Sequence, residues 1–339
     1  MTKPLTVPYR RFSEYVGVDL AQLRPHGSYG KLIANRTHAL DTLIARFGTV
    51  PQDLLVRRPC PTCAADHSTH ELTKDHLALV RCLECGLVYV NPIFDEQHYK
   101  EVYGSATYQA IMKDLGEASH EYRVERFGRE RVEVMGQHLE GVAQPRYLDV
   151  GCSTGFVVEA ATQRGWRAEG IDLNPSAIEF GQRRGLNLRV AALEEAGVAP
   201  GSLDAISLFD VLEHLARPAE VVVQAAGLLR PGGVLYLYVP NYDSASRLLM
   251  GADAHFIWPT HHLNYYTPAT LSDLVARHGL ETALMQTEGL DIADYVWQRR
   301  ELHGEDVSAV ERIGDVLQFL ANAGAYGKNL RLLARRVRV

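Results

Sequence analysis

The chain has 339 residues, a length that allows a full α/β core together with a second unit. Hydrophobic residues make up 46% of it and charged residues 22%, which excludes extended disorder as the main state. The net charge of −6 offers no basic face to a polyanion, so a nucleic-acid substrate is disfavoured. We find no apolar run long enough to span a bilayer and no signal-peptide core, and expect a cytoplasmic protein without a membrane partner.

Three units are predicted before the main domain. Residues 1–55 form an N-terminal helical extension, with apolar residues at helical spacing between Ile33 and Phe47, and we assign it no chemistry. Residues 56–92 form a compact cysteine segment. Residues 93–140 are charged and helical in pattern, which favours a linker or lid.

Four of the five cysteines form two C-x2-C pairs. Cys60 and Cys63 are separated by 18 residues from Cys82 and Cys85, a spacing typical of a four-thiolate zinc site. In a reducing cytosol such pairs indicate metal ligands, not disulfides. Because four thiolates leave no open position, we predict a structural zinc ion that supplies folding energy to a small module. An iron–sulfur cluster, a redox dithiol and four free cysteines are the alternatives.

From residue 141 to residue 339, short apolar runs alternate with amphipathic stretches. This texture predicts βα units and a doubly wound α/β domain with a seven-stranded, mostly parallel sheet. The expected strands are "RYLDVG", "RAEGIDL", "LRVAAL", "LDAISLFDVL", "GVLYLYVP", "LETALMQ" and "NLRLLARRVRV". The cysteine segment would then be a small zinc-ribbon-like module in front of this domain.

A glycine-rich turn marks a nucleotide site. In "YLDVGCSTG", Gly151 and Gly155 follow the first strand, where a cofactor approaches the backbone. Asp172 ends the next strand, 23 residues after Asp149, and can accept hydrogen bonds from both ribose hydroxyls. The turn lacks the G-x-G-x-x-G pattern, which argues against NAD. The alternative role for Asp172 is to cap the following helix.

These motifs, with "SLFDVLEHL" and "LLRPGGVLYLYVP", resemble the class I S-adenosylmethionine-dependent methyltransferases over residues 146–240, particularly the branch with the ubiquinone O-methyltransferases. The resemblance implies a Rossmann-like sheet of order 3-2-1-4-5-7-6, with its last strand antiparallel, and S-adenosylmethionine as cofactor. At Ser153 the chain departs from the family's glycine. The implied cofactor residues are Asp149, Gly151 and Gly155 around the methionine, Asp172 at the ribose, Leu193 beside the adenine, Phe209 and Asp210 under the methionine end, and Leu173 as a further cofactor contact.

Two polar groups are candidates for the chemistry. His214 follows the fourth strand, and its imidazole suits a general base, with Glu213 orienting it or contacting the substrate. His261 and His262 follow the fifth strand in "WPTHHLNYYTPATL", where they fit an acceptor pocket and a second acid or base. The alternative is structural, with His214 packed in a helix and Thr267 as a helix cap.

The predicted reaction is methyl transfer from S-adenosylmethionine to a small-molecule acceptor, a sugar or secondary-metabolite hydroxyl or carbon. The sugar preference follows from a resemblance to zinc-module methyltransferases that act on deoxysugar nucleotides. We expect metal-free transfer, since the ligand pattern for magnesium is not visible. The alternatives are a zinc-module protein that modifies or binds a macromolecule, such as a carrier protein or RNA, and a degenerate fold that binds the cofactor for regulation.

Overall fold

The N-terminal part of the molecule is helical. The protein is described here by a computed structural model, which covers residues 11–139 and 141–337. Helix α1 (Leu20–Leu23) begins after Asp19, whose carboxylate accepts hydrogen bonds from two backbone N–H groups of the first turn. Helix α2 (Ser28–Phe47) ends at Gly48, which has a positive φ of 74°. No helix of the described chain is both long and apolar enough to cross a membrane.

The cysteine segment forms a small antiparallel sheet. Strand β2 (Ser68–Lys74) pairs with β3 (Leu77–Cys82), which pairs with β4 (Val88–Val90). Two short strands on either side, β1 (Leu55–Val56) and β5 (Ile93–Phe94), pair with each other and close the segment.

A helical connection leads to the main domain. It consists of α3 (Glu96–Gly104), α4 (Ala106–Arg123) and α5 (Arg129–Gly136), with a π-helical turn at Val124–Gly128. At Gly128 the turn packs so closely on the main domain that a Cβ atom would lie 2.9 Å from a backbone oxygen there.

A seven-stranded sheet forms the core of the main domain. Its strands are β6 (Arg146–Val150), β7 (Arg167–Asp172), β8 (Leu188–Val190), β9 (Leu203–Phe209), β10 (Leu229–Pro240), β12 (Leu280–Glu288) and β13 (Asn329–Arg336). The spatial order is β12-β13-β10-β9-β6-β7-β8, and β13 is antiparallel to both neighbours. Counted along the chain, this is the order 3-2-1-4-5-7-6 read from the opposite edge, so the predicted fold class is confirmed.

Helices cover the sheet. Successive side chains of β6 lie on opposite faces of the sheet. Tyr147 and Leu148 therefore belong to separate hydrophobic clusters, as expected for a sheet buried on both faces. Thr267 caps the helix that begins at Pro268, so the structural alternative for this threonine is confirmed. The helices after the strands are α6 (Phe156–Gln163), α7 (Pro175–Arg183), α8 (Pro218–Leu228), α9 (Ala245–Met250), α10 (Pro268–Ala276), α11 (Asp291–His303), α12 (Ser308–Arg312) and α13 (Gly314–Ala323).

The loop between β10 and α10 joins the cysteine sheet to the large sheet. Strand β11 (Asn264–Tyr265), in the loop between β10 and α10, pairs with β4 and becomes the fourth strand of the cysteine sheet. Cys60 and Cys82 are buried in the same cluster as Leu271 of α10. The small sheet is therefore completed by the loop that carries the histidine pair, and the two units pack as one body.

A buried ion-pair cluster ties the N-terminal helices to the main domain. The carboxylate of Asp294 is fully buried and accepts from Lys328 Nζ at 2.5 Å and from the guanidinium of Arg24 at 3.1 Å. The neighbouring cations lower the pKa of Asp294, although burial alone would raise it. The extension is thus fixed near the carboxyl ends of the strands.

Candidate functional site

Four thiols converge beside the small sheet. The Sγ atoms of Cys60 and Cys85 lie 3.5 Å apart, as do those of Cys63 and Cys82, and all four lie within 4.8 Å of one another. Four sulfurs placed tetrahedrally around zinc, with bonds of about 2.3 Å, would be about 3.8 Å apart. The cluster is therefore compatible with a zinc module.

The glycine-rich turn follows β6. Gly151 and Gly155 have φ angles of +74° and +81°, which favour glycine. A Cβ atom at Gly151 would lie 2.5 Å from Val211, and one at Gly155 would lie 2.7 Å from Leu188. The protein's own packing thus requires glycine at both positions. Ser153, which replaces the family's glycine, also has a positive φ of 50°.

Asp172 joins this turn to the end of β7. Its carboxylate accepts hydrogen bonds from the backbone N–H of Ser153 and of Asn174, each at 2.8 Å. The helix cap is Asn174, so the capping alternative for Asp172 is wrong. Each carboxylate oxygen keeps a further lone pair, which fits a ribose diol. Leu173 beside it is 71% exposed, whereas Leu193 is buried in the core.

Three further cofactor candidates lie at the ends of β6 and β9. Asp149 is buried and accepts a hydrogen bond of 2.5 Å from Ser207, and burial raises its pKa to about 7. The guanidinium carbon of Arg131 lies 4.2 Å from the centre of the Phe209 ring. Asp210, with a positive φ of 56°, exposes its side chain to a cavity.

His214 occupies a helical turn directly after this strand end. Its Nδ1 lies 3.1 Å from the backbone oxygen of His261 and 3.2 Å from the hydroxyl of Tyr103. A backbone oxygen only accepts, so Nδ1 carries the proton and Nε2 carries the lone pair. Desolvation lowers the pKa of His214 to about 4, and the imidazole is neutral at pH 7.

The buried carboxylate of Glu213 lies beside the imidazole of His214. The side chain is 1% exposed, and its Oε1 lies 4.0 Å from Nε2 of His214. Its Oε2 has no hydrogen-bond partner in the described part of the chain. Burial raises the pKa of Glu213 well above its usual range.

The two loop histidines have different surroundings. The ring of His261 stacks on Trp258 with centroids 4.0 Å apart, and its backbone oxygen faces His214. Nδ1 of His262 lies 2.8 Å from the backbone oxygen of Phe256, and its ring lies 4.8 Å from that of His214. Folding therefore brings the side chain of His262 to the predicted base, together with the backbone of His261.

A cavity of about 410 Å³ opens at this edge of the sheet. Its polar side is lined by Asp210, Glu213, His214 and His262. Its apolar side includes residues of the N-terminal extension, to which the sequence assigned no chemistry: Val16, Val18, Leu23, Leu32 and Ile33.

Sequence reasoning also missed Arg58, a residue of the cysteine segment that contacts the cavity loops. Its guanidinium donates to the backbone oxygens of Ala216 at 2.8 Å and Leu263 at 2.7 Å. Leu263 in turn donates its N–H to the backbone oxygen of Glu213. No local pattern marked this arginine, because its partners are far away in sequence. Tyr103, whose hydroxyl lies 3.2 Å from Nδ1 of His214, was also not predicted.

Comparison with known proteins places the fold in a family. A family model described as a methyltransferase domain matches residues 120–284, beginning after the cysteine segment. The ubiquinone biosynthesis O-methyltransferase of Xanthomonas euvesicatoria pv. vesicatoria is 32% identical over 164 residues, which cover 44% of this chain and 68% of that protein. The protein of the same name from Thiobacillus denitrificans is 33% identical, over 42% of this chain and 66% of its own length.

Among solved structures, an S-adenosylmethionine-dependent methyltransferase from Archaeoglobus fulgidus is 18% identical, with a TM-score of 0.44, over 71% of this chain and all (100%) of that one.

The sheet order and the glycine-rich turn define a Rossmann-like methyltransferase fold. Together with the relatives, they establish that the chain belongs to the class I S-adenosylmethionine-dependent methyltransferases. It is a transferase that takes its methyl group from S-adenosylmethionine.

Proposed function

We propose that the protein methylates a hydroxyl group of a small organic acceptor, with His214 as the general base. A sugar-like or secondary-metabolite acceptor is our preference, and carbon is the alternative methyl-accepting atom. The observation that carries the proposal is the neutral imidazole at the cavity edge, with its Nδ1–H held by a backbone oxygen and its Nε2 lone pair available to a proton. The relatives' description as O-methyltransferases supports oxygen as the accepting atom.

The step is an in-line displacement. The acceptor oxygen attacks the methyl carbon, the S–CH3 bond breaks, and its electron pair stays on sulfur as the cation becomes a neutral thioether. The hydroxyl proton moves to Nε2 of His214 and leaves to solvent after product release. Because an imidazole with a pKa of about 4 is a weak base, proton transfer accompanies methyl transfer and does not precede it. Holding the two reactants in line supplies most of the rate.

The side chains at the carboxyl ends of β6, β7 and β9 support the following arrangement of the cofactor. Asp172 would accept from the ribose hydroxyls, and the exposed Leu173 would lie against the adenine side together with Leu193. The turn from Gly151 to Gly155, with Asp149, Phe209 and Asp210, would surround the methionine part. The two strong backbone hydrogen bonds to Asp172 support its role, because they fix the carboxylate before the ligand arrives.

The walls of the cavity support our preference for the kind of acceptor. The polar wall fits a hydroxyl-bearing ring, and the apolar wall from residues 16–33 favours an acceptor with an apolar group beside that ring. For the cysteine cluster we propose a structural zinc ion, supported by the sulfur distances and the closed set of four ligands.

Calorimetric titration with S-adenosylmethionine and S-adenosylhomocysteine tests the cofactor site. We expect the Asp172→Ala variant to bind both about 100-fold more weakly than the wild type, since a buried charged hydrogen-bond acceptor is lost. Glu169→Ala removes a carboxylate from the same strand and should leave both affinities unchanged. Wild-type affinity in Asp172→Ala would contradict the ribose role, and no binding to the wild type would contradict the cofactor assignment.

A further inference from the structure

Three metal-ligand side chains meet in the acceptor cavity, apart from the cysteine cluster. The ligand atoms of Glu213, His214 and His262 lie within 4.8 Å of one another. Two come from the turn after β9, and the third comes from the loop that also forms β11. All three side chains line the cavity. Two imidazoles and one carboxylate form a common ligand set for divalent transition metals.

The orientation of both imidazoles matches that of metal ligands. Nδ1 of His214 lies 3.1 Å from the backbone oxygen of His261, and Nδ1 of His262 lies 2.8 Å from that of Phe256. Both rings therefore donate through Nδ1 and carry their lone pair on Nε2. Metal-binding histidines almost always donate their second N–H in this way to a carbonyl or carboxylate, which fixes the ring and strengthens the ligand.

The carboxylate is independent evidence for a ligand. Glu213 is 99% buried, since its exposed fraction is 1%, and its Oε2 has no hydrogen-bond partner among the described residues. Buried polar atoms are nearly always satisfied, so an orphaned carboxylate oxygen calls for an explanation. A cation beside it would satisfy the oxygen and compensate for the burial of a charge.

We propose that Glu213, His214 and His262 form a binding site for a divalent transition-metal cation inside the acceptor cavity. With metal–ligand bonds of about 2.0–2.2 Å, two ligands of one ion are at most about 4.4 Å apart, so adjustments of a few tenths of an ångström close the site. Three protein ligands leave at least one position open, which distinguishes this site from the closed cysteine cluster.

The open position gives the site a role in the proposed methyl transfer, and this part of the inference rests on that function. An acceptor hydroxyl on the cation would have a lowered pKa, so its proton would pass to solvent water without an imidazole base. In the metal-free chain the Nε2 lone pair of His214 takes the proton; in the metal-loaded chain the same lone pair holds the cation.

Binding of Co²⁺ to the zinc-replete protein tests the site without reference to activity. After incubation with Co²⁺ and removal of the excess, we expect one zinc and one cobalt per wild-type chain. The cobalt spectrum should show weak d–d bands without thiolate-to-metal charge transfer, because the ligands are nitrogen and oxygen. Glu213→Gln and His262→Ala should each weaken cobalt binding at least tenfold. His261→Ala removes a neighbouring imidazole outside the ligand set and should bind cobalt as the wild type does.

Each outcome bears on one conclusion. Absence of cobalt from the wild type, a thiolate charge-transfer band, or equal binding by all variants would overturn the metal site. Zinc content and S-adenosylhomocysteine binding, measured on the same samples, report whether each variant is folded. If cobalt binds as expected and S-adenosylhomocysteine does not bind, the proposed function fails while the metal site stands. If S-adenosylhomocysteine binds and cobalt does not, the metal site fails while the proposed function stands.

Discussion

Replacing Cys82 with serine should remove the zinc that we propose for the cysteine cluster, melt the small sheet and reduce methyl transfer at least tenfold. Structural zinc sites contribute on the order of 10 kcal/mol to the folding of small modules, so the sheet has no comparable substitute. The loss reaches the cavity because β11, from the histidine loop, is a strand of that sheet, and because Arg58 of the cysteine segment donates hydrogen bonds to two backbone oxygens of the main domain. Zinc content, thermal unfolding and kcat measure the effect.

The matched control is Cys152→Ala. Cys152 is the remaining cysteine, buried at the cofactor turn and outside the cluster. This variant should retain one zinc per chain. S-adenosylhomocysteine binding of Cys82→Ser should fall by no more than threefold, because the turn and Asp172 lie on the large sheet. Unchanged kcat in a Cys82→Ser protein that has lost its zinc would contradict the coupling between the small sheet and the cavity.

The His214→Gln variant should lower kcat by about 10²–10⁴-fold, the usual contribution of a positioned general base. Affinity for S-adenosylhomocysteine should change less than threefold, because His214 is not among the residues that we propose to hold the cofactor. A purely structural histidine would instead lower thermal stability and cofactor affinity together. Steady-state kcat and KM, with calorimetry on the same preparation, separate the two cases.

His278→Asn is the control for this prediction. His278 lies directly after α10 and does not line the cavity, so kcat should stay within about twofold of the wild type. If His214→Gln retains wild-type kcat in the metal-free protein, the assignment of the proton acceptor is wrong, and His261 and His262 become the candidates for that role.

The sequence by itself determined the elements whose signals are local. Short apolar runs between amphipathic stretches marked all seven strands of the large sheet, and the turn "LDVGCSTG" with Asp172 marked the cofactor edge. The two C-x2-C pairs identified a four-thiolate cluster, because each pair is set by a tight turn within four residues. Such features depend on residues that are neighbours in the chain.

Only the tertiary structure decided which distant segments meet. The sequence did not reveal that β11 completes the cysteine sheet, that residues 16–33 form a cavity wall, or that Asn174 caps the helix after Asp172. It offered His261 and His262 as equals, and the fold distinguishes them: one contributes a backbone oxygen to His214, the other its imidazole. These contacts depend on how the loop after β10 packs between two sheets, and the energies of such packing are set by partners far away in the sequence.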